Sequence, residues 1–427
     1  MADAPRLFRV RQHFQTEQVD DIEAEVESQL RQLNLAEKIQ PGQSVAVTAG
    51  SRGIANIAKI VRGCVQHLRQ LGAEPFLVPA MGSHGGGTAD GQRKIVESYG
   101  MTEEFCGCPI RASMETVVVC DAAEGFPVHF DKHAYGADHV MVVGRVKPHT
   151  NFRGDIESGL MKMMLIGLGK HEGAKIYHKA IRDYEFGQIV RSVAREVLAK
   201  CGIVAGVAIV ENAYDKTARI EAVRPEEFES REKELLRLAK QWMPRTPFDR
   251  ADLLWIDEMG KDVSGSGMDT NVVGRKYNDH VAADHETPKV HLIAVRGLTE
   301  ATHGNATGLG MAEFCLSRVI RAVDSRMTRI NCLTGGHVTA AMSPLDYETD
   351  EEIWEAASWL FGLKRPVDAD IMWIHNTLDL AEVECSESYW DEARQRDDLE
   401  VVVPLRPMPW VDGLLPSQRS LSPVCAK

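Results

Sequence analysis

Three histidines and one lysine are the residues of this chain whose types and surroundings best suit chemistry. His84 lies in the glycine-rich "AMGSHGGG", and His149 lies in "KPHT". Lys162 interrupts the apolar stretch "GLMKMMLIG", and His178 follows sixteen residues later. A neutral imidazole takes up a proton near pH 7 and an imidazolium returns it, so two histidines on opposite faces of a carbon could invert its configuration. A lysine in an apolar segment is costly unless its amine is paired, neutral or covalently used.

Each of these residues also has a plainer interpretation. A loop histidine is most often a hydrogen-bonding group, His178 could be a half-exposed helix residue, and the Lys162 ammonium could reach water along its own stem. The glycines beside His84 favour a functional loop, because Gly85 and Gly86 leave backbone N–H groups free to approach an anion closely. Neither a GxGxxG fingerprint nor a P-loop lysine is present there, so the loop is not a standard nucleotide motif.

The segments before these loops predict the elements that position them. "SVAVTAG", "EPFLVPA" and "HVMVVGRVKP" each read as a buried β-strand that ends in a loop, and amphipathic helical patterns separate other strands of this half. This alternation predicts an α/β fold with mostly parallel sheets. Because ligands bind at the carboxyl ends of such strands, we expect Arg52, His84 and His149 to face one crevice. Arg52, in "TAGSRGI", could hold a substrate carboxylate.

The length of 427 residues predicts two domains. We expect both to be α/β domains, with the active site in the cleft between them. We place the N-terminal, catalytic domain at residues 1–247 and the C-terminal domain at 248–404, separated by the proline-containing "MPRTPFDR". The tail, residues 405–427, is expected to pack back on the N-terminal domain.

The composition argues against several classes of protein. A net charge of −13 disfavours a nucleic-acid-binding surface. No apolar run reaches the ~20 residues that span a bilayer, and the N-terminus lacks the apolar region of a signal peptide. Nine cysteines, an odd number, indicate reduced thiols in the cytoplasm. The single pair Cys106 and Cys108 lacks the second half of a zinc site and is interpreted as structural.

Together these motifs resemble those of the nickel-dependent lactate racemase family, the 2-hydroxyacid racemases and epimerases that use a nickel-pincer nucleotide. "AGSRGI" resembles the arginine motif after the first strand of that family. "AMGSHGG" resembles the segment that carries one catalytic histidine. "KPHTNFRGDIESGLMK" resembles the segment that carries the second catalytic histidine and a cofactor-bonded lysine. The family's nickel-binding histidine lies sixteen residues past that lysine, where this chain has His178.

The resemblance implies a role for each residue. His84 and His149 would be the acid–base pair, Lys162 the covalent anchor of the nickel-pincer nucleotide, and His178 the nickel ligand. The cofactor would accept the α-hydride and return it to either face of a 2-keto acid. Further contacts with the cofactor are expected from Ser51, Arg52, Gly85 and Gly86. Proteins that make this cofactor would be partners, and a homo-oligomeric state stays open.

The chain also departs from the family's pattern. Three more residues separate His149 from Lys162, and Met161 replaces an arginine. In the second domain "GKDVSGSGMDTNVVGRK" resembles uncharacterised racemase-like homologues more than lactate racemase itself. With Arg52, we predict Lys261 and Arg275 as substrate contacts. These departures favour a 2-hydroxy acid that is bulkier or more polar than lactate.

Other functions stay open at this point. A non-catalytic carrier of the nickel nucleotide would need Lys162 and His178 but not two acid–bases. An NAD-type oxidoreductase of 2-hydroxy acids would suit the sheet, although its GxGxxG fingerprint is missing. A zinc hydrolase is disfavoured because the chain has no HExxH motif and no close Cys/His quartet.

Overall fold

The computed structural model of the chain describes residues 3–50 and 53–421. Two compact units divide it: an N-terminal unit, Gln15–Met243, and a C-terminal unit that combines Met1–Phe14 with Pro244–Lys427. Within the described ranges no helix is long and apolar enough to cross a membrane.

Both units alternate strands and helices. The strands in chain order are β1 (Leu7–Gln12), β2 (Ser44–Ala49), β3 (Glu74–Pro79), β4 (Thr116–Asp121), β5 (Pro127–Asp131), β6 (His139–Arg145), β7 (Ile203–Glu211), β8 (Thr217–Val223), β9 (Arg250–Ile256), β10 (Lys289–Val295), β11 (Phe314–Leu316), β12 (Leu345–Tyr347), β13 (Ile371–Ile374), β14 (Glu382–Ser386) and β15 (Leu399–Arg406). The α-helices are α1 (Ile22–Arg31), α2 (Ile57–Gln70), α3 (Ala89–Ser98), α4 (Glu103–Cys106), α5 (Lys132–Tyr135), α6 (Gly159–Lys162), α7 (Lys170–Ala180), α8 (Phe186–Lys200), α9 (Phe228–Trp242), α10 (Thr270–Val273), α11 (Ser317–Ala322), α12 (Ser325–Gly335), α13 (Asp350–Ser358) and α14 (Trp390–Gln395).

The N-terminal unit is built on a five-stranded sheet of order β3-β2-β6-β7-β8. The first four strands are parallel, and β8 returns antiparallel to β7. The residues of β6 show why a strand that is buried on both faces has a continuous apolar sequence. Its Val140 and Val142 belong to one buried core, whereas Met141 and Val143 belong to another. Alternate residues therefore face helices on opposite sides of the sheet.

The C-terminal unit holds an eight-stranded sheet of order β12-β11-β10-β9-β13-β14-β1-β15. Its first five strands are parallel, and β14, β1 and β15 add antiparallel pairings at the other side. The prediction of an α/β fold with mostly parallel sheets is confirmed.

The structure corrects the predicted course of both ends of the chain. Strand β1 was assigned with residues 1–247, but it pairs with β14 and β15 of the C-terminal unit. The tail 405–427 was expected on the N-terminal domain, yet its described part belongs to the C-terminal unit, where the β15 residue Arg406 pairs with Leu7. The physical reason is backbone hydrogen bonding: β1 pairs with β14 on one side and with β15 on the other, so neither of its edges is left unpaired.

One predicted helix is partly a strand. The segment "GMAEFCLSRVIRAVD" reads as a helix, but its "FCL" forms the short parallel strand β11 and the helix begins only at Ser317. Three residues are too few to show the alternation that identifies a strand. Pairing with β10 and β12 decides the structure there.

Candidate active site at the carboxyl ends of the N-terminal strands

The loops that follow three neighbouring parallel strands meet one helical segment, residues 159–180. This segment consists of α6, a π-helical turn over Met163–Gly167, and α7. Gly50, which directly follows β2, lies beside the π-turn: a Cβ at this position would lie 3.4 Å from Met163 Cε. The segment carries both Lys162 and His178. The common edge of β3, β2 and β6 thus directs the loops that follow these strands toward one helical segment.

The loop of His84 follows β3 and rests on the same segment. The N–H of Gly82 donates to Gly167 O at 3.4 Å, and a Cβ at Gly87 would lie 3.7 Å from the His171 ring. His84 itself is exposed. Its backbone N–H donates to Met81 O, and its carbonyl accepts the N–H of Gly87, both at 3.2 Å. Two closed turns therefore hold an exposed imidazole in a loop made mostly of glycine.

The two predicted glycines of this loop differ in what surrounds them. Gly85 and Gly86 both have left-handed backbones, with φ of +67° and +68°. A Cβ at Gly85 would lie 2.6 Å from the backbone N of Gln92, so only glycine lets the loop close onto α3. A Cβ at Gly86 would meet nothing within 4 Å. Gly85 shapes the loop, and Gly86 borders open space in which an anion could approach the backbone.

The loop of His149 follows β6 and is held by buried acceptors. The N–H of His149 donates to Glu157 Oε2 at 2.8 Å. The Ser158 hydroxyl accepts the backbone N–H of Lys147 and donates to the Lys147 carbonyl, which closes the loop. The Nδ1 atom of His149 accepts the N–H groups of Asn151 and Phe152 at 3.0 and 3.1 Å. A neutral ring that accepts at Nδ1 carries its hydrogen on Nε2. In this arrangement the Nε2 side of His149 is a hydrogen-bond donor.

Phe152 is the centre of the site, and the sequence interpretation missed it. Its ring stacks on His149 with centroids 4.1 Å apart, and on Phe186 from α8 at 3.8 Å. The Lys162 Nζ atom lies 5.0 Å from the centroid of Phe152, within cation–π distance. The His178 ring lies 6.4 Å from it. The Phe152 ring, which we call the aromatic shelf, therefore lies next to three of the predicted site residues: His149, Lys162 and His178.

A buried carboxyl group anchors the helix that carries Lys162. Glu232 of α9 accepts the N–H of Met161 at 3.0 Å, and also that of Leu160. Complete burial raises the pKa of Glu232 to about 8. Gly159, with φ of +78°, makes this approach feasible, because a Cβ there would lie 2.6 Å from Glu232 Cδ. Glu232 thereby holds the first turn of α6 in place.

Burial and charge keep His178 neutral. Desolvation lowers the pKa of His178, and the nearby Lys162 ammonium lowers it further. A neutral imidazole is the form that binds a transition metal. Over residues 3–50 and 53–421 no group of three His, Cys, Asp or Glu side chains is placed to hold a metal ion.

Of the four remaining predicted site residues, the structure describes two. Ser51 and Arg52 lie outside the described residues. Lys261 and Arg275 lie in the C-terminal unit, where the Lys261 ammonium donates to Gly265 O. The Arg275 guanidinium is wholly buried and donates to His291 O at 3.0 Å. Such burial suits a structural role within that unit, and a substrate role for Lys261 and Arg275 stays a prediction.

The fold and the site define a class of protein: an α/β protein with a histidine- and lysine-containing cluster at the carboxyl ends of parallel strands. A family model described as the lactate racemase N-terminal domain matches residues 6–186. No curated protein sequence matches the chain. Among solved structures, the apoprotein of lactate racemase from Thermoanaerobacterium thermosaccharolyticum matches with a TM-score of 0.53 and 12% identity, over 85% of this chain and 93% of that one. A protein from Thermotoga maritima matches with a TM-score of 0.50 and 11% identity, over 77% and 84%.

At such low identity the solved structures support the fold alone. The family model, however, spans β1 to the start of α8 and includes His84, His149, Lys162 and His178. The N-terminal part of the chain, residues 6–186, is therefore similar to the lactate racemase N-terminal domain, and the fold of the chain is similar to that of a solved lactate racemase apoprotein.

Proposed function

We propose that this protein is a racemase or epimerase that inverts the hydroxyl-bearing carbon of a 2-hydroxy acid, using a nickel-pincer nucleotide attached through Lys162. The observation that carries the proposal is the grouping of His149, Lys162 and His178 around Phe152. The loop of His84 packs on the same helical segment. These are the residue types that the activity needs, and their positions on neighbouring loops and one helical segment support the proposal.

The residues present fit this cofactor. His178 is neutral, half-buried and beside Lys162, which suits a single imidazole ligand next to a covalent anchor. Lys162 is the last residue of α6, and Glu232 binds the backbone of that helix. The backbone that carries the Lys162 side chain is therefore held in place. When bound, the nucleotide supplies a hydride acceptor that later returns the hydride to the same carbon.

The protein's own groups would manage the proton. An imidazole takes the hydroxyl proton of the substrate as the C–H bond releases its hydride, which leaves a planar 2-keto acid. The proton and the hydride then return on the opposite face, with the second imidazole as the donor. Acid–base groups of this kind contribute roughly 10²–10⁴-fold each. We assign these roles to His84 and His149.

A non-catalytic carrier is the second candidate, and one observation favours it. Because His149 Nδ1 accepts two backbone N–H groups, its neutral ring presents a donor and cannot accept a proton at Nε2. Catalysis by His149 as a base requires the loop to release these two bonds. A carrier has no such requirement.

The test begins with protein co-produced with cofactor-making enzymes, which would be its partners. We expect about one nickel per chain and added mass at Lys162, as a single covalent anchor requires. This protein is then incubated with single enantiomers of a panel of 2-hydroxy acids in deuterated water and read by chiral chromatography. Inversion with the carbon-bound hydrogen retained supports hydride return. Loaded protein that inverts no member of the panel favours the carrier.

Variants assign the roles. His84→Ala and His149→Ala should each lower turnover by roughly 10²-fold or more while nickel stays bound. His178→Ala should lose the nickel, and Lys162→Ala the added mass. Unchanged turnover in either acid–base variant would refute the two-histidine scheme. All eight described cysteines are unpaired, which supports a cytoplasmic location for this activity.

A further inference from the structure

Lys170, the first residue of α7, combines two unfavourable features. Its side chain is completely buried, and an isolated buried ammonium is among the most costly groups in a protein interior. Its backbone is left-handed, with φ of +54°, which a residue with a side chain rarely adopts. Two unfavourable features at one residue indicate that the surrounding contacts stabilise it, which is typical of residues with a function.

The three donors of this ammonium meet three different parts of the N-terminal unit. Lys170 Nζ donates to Pro79 O, at the end of β3, at 2.6 Å. It donates to Gln92 Oε1 of α3 at 2.8 Å. It lies 3.3 Å from Asp131 Oδ2, an equally buried carboxylate whose other oxygen caps α5 through Ala134. Two hydrogen bonds and one ion pair therefore hold the Lys170 ammonium.

Gln92 extends this contact to the loop of His84. Its Oε1 faces Lys170, which leaves its Nε2 to face the loop, where it donates to Gly82 O at 2.8 Å and His84 O at 3.3 Å. An amide can point either way, and here the ammonium fixes the direction because it can only donate. Gln92 is itself fully buried. The carbonyl of the exposed His84 is thus connected to a buried charge.

We propose that Lys170 is a positioning residue for His84: through Gln92 it fixes the carbonyl groups of the His84 loop and ties that loop to α7, the helix that carries His178. The catalytic part of this inference rests on the proposed function. The positional part does not, since it concerns only how firmly residues 82–88 are held. No resemblance of motifs points to Lys170, because its partners lie in three separate stretches of the sequence.

Two variants separate the steps of this path. Gln92→Glu still accepts from Lys170 but cannot donate to the two loop carbonyls when ionised. Lys170→Met removes the charge at similar length. Lys175→Met is the matched control, since Lys175 lies on the same helix, is exposed and pairs only on the surface with Glu172. The first measurement is hydrogen exchange of residues 82–88 in each protein without cofactor.

We expect slow exchange at Gly82, His84 and Gly87 in the wild type, because their N–H groups are hydrogen-bonded in a held loop. Exchange of residues 82–88 should become about tenfold faster in Gln92→Glu and Lys170→Met, with residues 146–152 unchanged, and should not change in Lys175→Met. Wild-type exchange at the rate of an unstructured peptide would overturn the proposal, whether or not the variants fold. So would folded variants in which residues 82–88 keep the wild-type rate.

The second measurement is turnover by the loaded protein. A displaced His84 should lower kcat by about 10–100-fold, because small misplacements of a reacting group are costly, with KM nearly constant. Nickel content and the mass at Lys162 should stay at wild-type levels, which a general loss of structure would not allow. A wild-type protein without turnover would refute the proposed function and leave the exchange result standing. Faster exchange with unchanged kcat would overturn the catalytic part.

Discussion

Glu232 gives the sharpest stability prediction, because its carboxyl is completely buried at the start of α6. We expect Glu232→Gln to stabilise the N-terminal unit near neutral pH. Glutamine keeps a carbonyl oxygen that can accept the N–H groups of Met161 and Leu160, and it has nearly the same shape. What it lacks is the ionisation that burial opposes.

The size of the effect follows from the raised pKa. Glu232 has a pKa of about 8 in the folded protein against an ordinary 4.5, and each unit corresponds to about 1.4 kcal/mol. Because the folded-state value is the higher one, this carboxyl contributes its full stability below pH 4.5 and loses it as the pH rises toward 8. At about pH 7 the wild type has therefore lost roughly 3 kcal/mol that the glutamine variant keeps.

Urea unfolding of the wild type and the variant between about pH 5 and about pH 8 measures this difference. The wild type should lose about 1.4 kcal/mol of unfolding free energy per pH unit relative to Glu232→Gln. Glu234→Gln, an exposed neighbour on α9, is the control and should follow the wild type. Parallel pH profiles for wild type and Glu232→Gln would show that this carboxyl is ionised in the folded protein and would refute the reasoning.

Three further predictions concern the loop, the shelf and a thiol. Gly85→Ala should destabilise the protein by at least about 1 kcal/mol more than Gly86→Ala in thermal unfolding, since both strain a left-handed backbone but only Gly85 meets the Gln92 backbone. Equal losses would contradict the close contact. Phe152→Leu should cost about 1–2 kcal/mol and weaken nickel retention, because its ring stacks on two others; full retention would show that the shelf is dispensable. Burial raises the pKa of Cys106 to about 11, so it should resist alkylation at about pH 8 until the protein unfolds, as peptide mass spectrometry would show.

The strands that position the site could be predicted from the sequence because each of them is a continuous apolar segment. β2, β3 and β6 are buried on both faces, which produces uninterrupted apolar runs that end where a polar loop begins. The spacing of Lys162 and His178 was equally visible. The structure places Lys162, His149 and His178 around one ring.

What the sequence could not reveal depends on contacts between distant segments. Phe152 sits in a loop of mixed composition, where no periodicity marks an aromatic residue as central. Lys170 and Gln92 are 78 residues apart, and only the packing of α7 against β3 and α3 brings them together. Glu232 reads as one more charge on a highly charged helix. Its one available signal was position, because it lies on the buried face of α9.

The pairing of β1 has a consequence for the order in which the protein forms on the ribosome. Residues 15–243 are continuous, so the unit that holds Lys162 and His178 can fold while the rest is still being made. The other sheet must wait, because β1 is synthesised long before its partners β14 and β15. During that interval β1 is an unpaired edge that a chaperone could occupy. The lysine that would carry the cofactor is therefore available in a folded setting before synthesis is complete.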